Sequence, residues 1–182
     1  MIATCAFPIC VLAQQPRSPR MPAPPPMRFV SRPERSQLDA ARDPKARLRA
    51  TITLAEDHLA RVEDFTSQRK FNEAAGELGL YLGLVGDLRA FIATLVRDKG
   101  STRDLYRHFE IAVRPHIPRL AVLRRTTPAS YAINIKDAEE YIKDTRSEAL
   151  DSFYGHSVLR EPEMPEKKSE GPKDQPNGIK RP

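Results

Sequence analysis

Histidine is the side chain whose ordinary pKa lies nearest neutrality, and this sequence has four: His58, His108, His116 and His156. No two of them stand four apart, so no helix face would offer an imidazole pair to a metal. A di-iron bundle needs Glu-x-x-His pairs that project from one face, and none occurs. His116 is the most distinctive, because Pro115 and Pro118 flank it and free backbone carbonyls nearby. A kinked core around His116 is the place where a small apolar ligand or a metal would sit. Near the C-terminal end, Gly155-His156-Ser157 brings a hydroxyl beside an imidazole, but adjacent residues have poor geometry for proton transfer, and a nucleophilic serine needs a positioned base. The G-x-S-x-G, P-loop, dinucleotide-binding and HExxH patterns are all missing. The sequence thus predicts no enzyme: catalytic residues none, cofactor-binding residues none, metal ligands none.

The charged clusters read as structural. Arg114, Arg119, Arg124 and Arg125 form a basic patch where a helix ends, and cations there complement the helix dipole. Glu139, Glu140 and Asp144 alternate with Lys136, Lys143 and Arg146 at spacings that suit i,i+4 pairs on a solvated face. Both cysteines, Cys5 and Cys10, lie within the first ten residues, so the chain has neither a disulfide framework nor a Cys/His zinc spacing.

Positioning falls to helices. Asp43-Pro44 is a cap followed by a first-turn proline, and Leu48, Ile52, Ala55, Leu59, Val62 and Phe65 or Thr66 then recur at three and four. A second helix is expected over 71–99, with Ala75, Leu78, Leu82, Val85, Leu88 or Arg89, Ile92 and Leu95 on its face. It also carries Gly76, Gly79, Gly83 and Gly86, which let a neighbouring helix approach closely. Gly100 should end it, and Ser101-x-x-Asp104 should cap a third, with Leu105, Phe109, Ala112, Ile117, Leu120 and Leu123. Pro115 and Pro118 bend or break that helix near 114–118. Thr127-Pro128 repeats the cap-then-proline start for a fourth helix bearing Tyr131, Ile135, Ala138, Ile142, Arg146 or Ser147, Ala149 and Phe153. About twenty stripe residues, at about 1.5–3 kcal/mol each, make an ordinary core. Short connections make neighbours antiparallel, so the expected fold is all-α: an antiparallel up-down four-helix bundle with a proline-kinked third helix, flanked by disordered tails. The stripes also permit coiled-coil packing and self-association as a homo-oligomer. They imply an apolar core without clustered His, Asp or Glu.

The ends differ from the middle. Of 17 prolines, eight fall in residues 1–33 and five in 162–182. Residues 1–13 are uncharged and apolar and finish on Val11-Leu12-Ala13, a signal-peptide pattern that would expose Gln14, although the usual basic start is missing. Residues 14–42 read as a Pro/Arg-rich linker, 43–160 as the bundle, and 161–182 as a disordered tail. Proteolysis to about 40–160 is expected to leave helicity intact. The net charge of +6 belongs to the arm: residues 14–49 hold nine Arg/Lys and three Asp/Glu, whereas 50–160 hold sixteen of each. A neutral bundle has no footprint for nucleic acid, while a basic arm suits an anionic membrane or wall polymer.

The turn from Phe65 to Ala74 is similar to that of a tetratricopeptide repeat over one turn only; the flanking helices are twice too long and no 34-residue period follows. Over 42–160, the arrangement of Pro-rich arm, Arg-Asp-Pro-Lys-Ala-Arg-Leu-Arg (42–49), long helical stripes and Tyr-Gly-His (154–156) resembles uncharacterised exported helical proteins of environmental bacteria. That resemblance implies no assigned activity. The expectation is a secreted or periplasmic, non-enzymatic protein for interaction or structural support, with a protein partner, no cofactor and no nucleic acid. A small-ligand or metal-binding bundle is the alternative.

Overall fold

Asp43 begins a helix as its spacing predicts, its carboxylate accepting the Ala46 N–H at 2.9 Å ahead of Pro44. The structure, a computed structural model, describes residues 21–95 and 100–154, whose regular elements are all helices, with no strand among the described residues. In order the helices are α1 (Arg32–Ala40), α2 (Pro44–Ser67), α3 (Phe71–Ala93), α4 (Gly100–Val113), α5 (His116–Thr126) and α6 (Ala129–Tyr154). α2 packs along α3, while α4 and α5 both pack along α6. Their apolar stripes join in one core, with Leu59, Leu78, Leu88, Phe109, Leu120 and Ile142 inaccessible or nearly so. Among the described residues no helix is long and apolar enough to cross a membrane.

The turn between α2 and α3 closes on itself. The Lys70 N–H donates to Phe65 O at 2.8 Å and the Arg69 N–H to Thr66 O at 3.0 Å, the paired bonds that finish a helix through a left-handed residue. That residue is Arg69, at φ 60°. α3 then runs with Tyr81 and Leu84 buried as well as the expected Leu78, Leu82, Val85, Leu88 and Ile92. It is covered on more than one face, which explains its near-continuous apolar character. It stops at Ala93 rather than 99, and residues 96–99 lie outside the described residues. Gly100, expected as its stop, is instead the first residue of α4.

The predicted third helix is two helices. Arg114 and Pro115 form a turn between α4 and α5, where proline has no N–H to continue the ladder. Pro118 lies in the first turn of α5, where a missing donor costs little. Thr127 does not behave as the expected cap of the last helix. Its hydroxyl donates back to Leu123 O at 2.7 Å and closes α5, while the Tyr131 and Ala132 N–H groups bond Pro128 O.

Two further expectations are corrected. The segment read as linker over 14–42 is non-helical over 21–31, yet it folds as α1 over Arg32–Ala40, with Leu38 completely buried. Residues 21–31, hereafter the strap, lie against α3 and α6. A Cβ at Gly79 would overlap the Met27 carbonyl, and one at Gly83 the Phe29 carbonyl. These two glycines therefore admit an extended backbone rather than a neighbouring helix. The interior is also not purely apolar: His58, Glu110, His116, Asn134 and Glu139 are all buried. The expected disordered tail, 161–182, and the leader, 1–13, lie outside the described residues.

Candidate functional site

His58 projects from the middle of α2, one residue before the core residue Leu59, and is 4% exposed. Glu34 on α1 and Glu77 on α3 reach it from opposite sides. Glu34 Oε1 is 2.5 Å from Nε2 and Glu77 Oε2 is 2.5 Å from Nδ1. One ring thus joins three helices. Glu34 is fixed in turn by α1's own start, because the Ser31 N–H (2.9 Å) and hydroxyl (2.5 Å) both donate to its Oε2. Burial works to raise the Glu34 carboxyl, but the hydrogen bonds from His58 and Ser31 outweigh it and hold the group below the usual carboxylate range. Arg61 approaches Glu77 at 3.7 Å. Nearby, Asp87 on α3 pairs with Arg35 of α1 and, at 3.2 Å, with Arg47 of α2.

The order of contacts limits the chemistry. Along the chain Ser31–Glu34–His58–Glu77 a carboxylate stands between the hydroxyl and the imidazole. A serine nucleophile needs the imidazole itself at its Oγ, so this arrangement does not activate Ser31. The two carboxylates meet opposite ring nitrogens and do not converge on a shared point. Among the described residues no group of three or more His, Cys, Asp or Glu side chains is placed to hold a metal ion.

His116, at the start of α5, has the opposite surroundings. It is fully buried, its Nδ1 lies 3.0 Å from the Tyr81 hydroxyl, and its Nε2 has no partner. Burial lowers its pKa to about 4, with Arg119 pushing the same way and Glu63 opposing. Burial likewise pushes the Tyr81 hydroxyl well above its ordinary range. Arg119 is held by Glu63 of α2 through two bonds of 2.7 and 2.8 Å. Beside this pair, Thr66, Val122, Leu123 and Thr126 line a hollow of about 350 Å³. A second cavity, about 10 Å³, lies among Val62, Thr66, Phe71, Leu78 and Asn134, and is the size of a single water.

The remaining sequence candidates separate. His108 is exposed, with Nδ1 2.6 Å from Asp104 O, and His156 and Ser157 lie outside the described residues. The expected basic patch is largely paired: Arg114 with Glu110, Arg119 with Glu63, and Arg124 with Glu139 at 3.4 Å. Glu110 is buried and also receives Arg146 at 2.7 Å. The bond from Arg114 holds its carboxyl low against burial, with Arg146 assisting. Glu139, expected on a solvated face, is 5% exposed. Lys143 reaches it at 2.6 Å, and Lys136 pairs with Glu140 at 3.6 Å, so the predicted i,i+4 bonds do form. Sequence reasoning missed Glu34, Glu77 and Tyr81. Ser31-x-x-Glu34 with Pro33 was the one available signal, a helix start that marks α1. Comparison with family models, with curated proteins and with solved structures finds no match to this chain.

Proposed function

We propose that this chain is an exported, non-catalytic helical scaffold that acts through protein–protein contact in the bacterial envelope. The carrying observation is how its polar and apolar groups are divided. The interior charges are spent on internal pairs, whereas the strap displays Met21, Met27 and Phe29 at 86%, 78% and 47% exposure. A docking segment shows large apolar side chains outward in this way. In this reading α2, α3, the α4–α5 pair and α6 make an up-and-down four-helix arrangement, with α4 and α5 replacing one kinked helix. The basic arm brings the strap toward anionic membrane or wall polymer, and export leaves Gln14 as the first residue.

The test is a photo-reactive side chain at Met27 of the full chain in the native envelope. A discrete protein adduct, competed away by unlabelled chain, is expected. Absence of any adduct from positions 21, 27 and 29 overturns the reading. N-terminal sequencing that finds Met1 retained in the cytosol overturns export. A second reading, small-ligand binding, is favoured by the 350 Å³ hollow beside Arg119 and Glu63, a volume in the range of small-molecule sites. Its signature is a melting temperature that rises with added ligand.

A further inference from the structure

The strap is held by its backbone. The Ala23 N–H donates to Ser130 O at 2.7 Å, and the Asn134 side-chain amide donates to Pro24 O at 2.9 Å. The Met27 and Phe29 carbonyls lie where α3 has glycine instead of a Cβ, and the Arg28 guanidinium sits 4.6 Å above the Tyr141 ring. Its half-buried residues include Ala23 and Pro26, three apart as in a polyproline helix, and Val30, which packs against the core, while Met21, Met27 and Phe29 stay exposed. α1 continues the attachment through Leu38 and the Glu34–His58 bond.

One connection ties this whole arm to the rest: Ala41 to Asp43. Ala41 (φ −79°, ψ 91°) and Asp43 (φ −84°, ψ 129°) are already extended, and Pro44 keeps Asp43 so. Opening the joint therefore needs little change of backbone, and three extended residues span about 10 Å. The arm packs on α2, α3 and α6, and any other copy presents the same surfaces.

We propose that the seat formed by α2, α3 and α6 receives the strap and α1 of a second copy, giving an arm-exchanged dimer. This deepens the reading of the chain as an interaction protein and rests on it. The second copy is the occupant because it is the molecule certain to carry the matching segment: Ala23, Pro26 and Val30 at the inward positions, and Arg28 to place over Tyr141. Exchange remakes in trans every contact made in cis, so it costs only association and grows with concentration.

The experiment uses full chains with Cys5 and Cys10 replaced by serine. One carries Ala23→Cys, another Ser130→Cys, and a short bismaleimide joins thiols that lie together. Mixed at increasing concentration, the two chains should give a covalent heterodimer, and Gly83→Val in the Ser130→Cys chain should remove at least nine-tenths of it. A chain bearing both cysteines, kept dilute, should crosslink within itself and so report the seat in cis. Cis crosslinking without any mixed species at any concentration overturns exchange, as does a mixed species indifferent to Gly83→Val. If neither crosslink forms, the strap does not occupy the seat and the proposal falls. Adducts from Met27 to other proteins without the mixed species would leave the scaffold reading standing and sink this one alone.

Discussion

His58 and His116 are both buried, and they solve burial in opposite ways. His58 has a carboxylate at each ring nitrogen and ties α1, α2 and α3 together. His116 has one hydroxyl, a bare nitrogen and a pKa lowered to about 4. The first is a hydrogen-bonded fastening between helices. The second is an aromatic core residue that keeps its ring neutral, since burying a charge without a partner is costly. The same residue type, equally hidden, is therefore a fastener in one half and a filler in the other.

Removing the fastener should have the largest effect. His58→Leu takes one partner from each of the half-buried Glu34 and Glu77, which keep Ser31 and Arg61, and losing a hydrogen bond to a charged group typically costs about 1.5–3 kcal/mol. Urea unfolding should show a loss of that order, with α1 amides losing exchange protection first. A loss below about 1 kcal/mol would mean that the trio behaves as a surface cluster and that the contrast is false.

Acid comes next. Because the folded pKa of His116 lies below its unfolded value, the unfolded chain binds the proton first. Its contribution is complete above about pH 6.5 and is lost as pH falls toward about 4. The full shift corresponds to about 3 kcal/mol, of which about 2–3 should appear across that window. His116→Phe should remove this slope from a series of denaturant melts. Glu34 and Glu110, both held below the ordinary carboxyl value, should add a later loss, beginning near pH 4.5 and ending below it. A melt series flat between pH 6.5 and 4.5 would break the assignment of a neutral, dry His116.

The smallest effect tests the filler directly. Tyr81→Phe strips His116 of its single hydrogen bond and should cost about 1–2 kcal/mol in thermal or urea melts. The double change Tyr81→Phe with His116→Phe leaves no polar atom behind and should return to within about 1 kcal/mol of the parent. An additive double mutant would show that the two side chains do not act as a pair.

The difference between the two sites also explains what could be read from the chain. The stripes of α2, α3 and α6 were legible because each repeats at three and four for over twenty residues, long enough to fix the face. α1 was not, because nine residues with one buried apolar side chain make no stripe, and the surrounding prolines and arginines resemble linker. Gly79 and Gly83 were visible as places of close approach, but nothing local says whether a helix or a strap approaches. His58 is adjacent to the stripe residue Leu59, so its position on the inner face could be inferred. Its partners could not, because Glu34 and Glu77 are 24 and 19 residues away, on other helices. The break before His116 was marked by Pro115, whereas the Tyr81 hydroxyl that meets it depends on packing.

The strap has a consequence for the order in which the chain acquires structure. Its residues leave the ribosome before any helix exists, yet Pro24 is bonded to Asn134, 110 positions later. The seat is complete only when α6 has been made. The strap is thus among the last parts to dock, and closing so long a loop is slow compared with pairing α2 and α3 across the three residues between them. A nascent chain halted before α6 would carry its N-terminal segment undocked, within reach of whatever first receives it outside the ribosome.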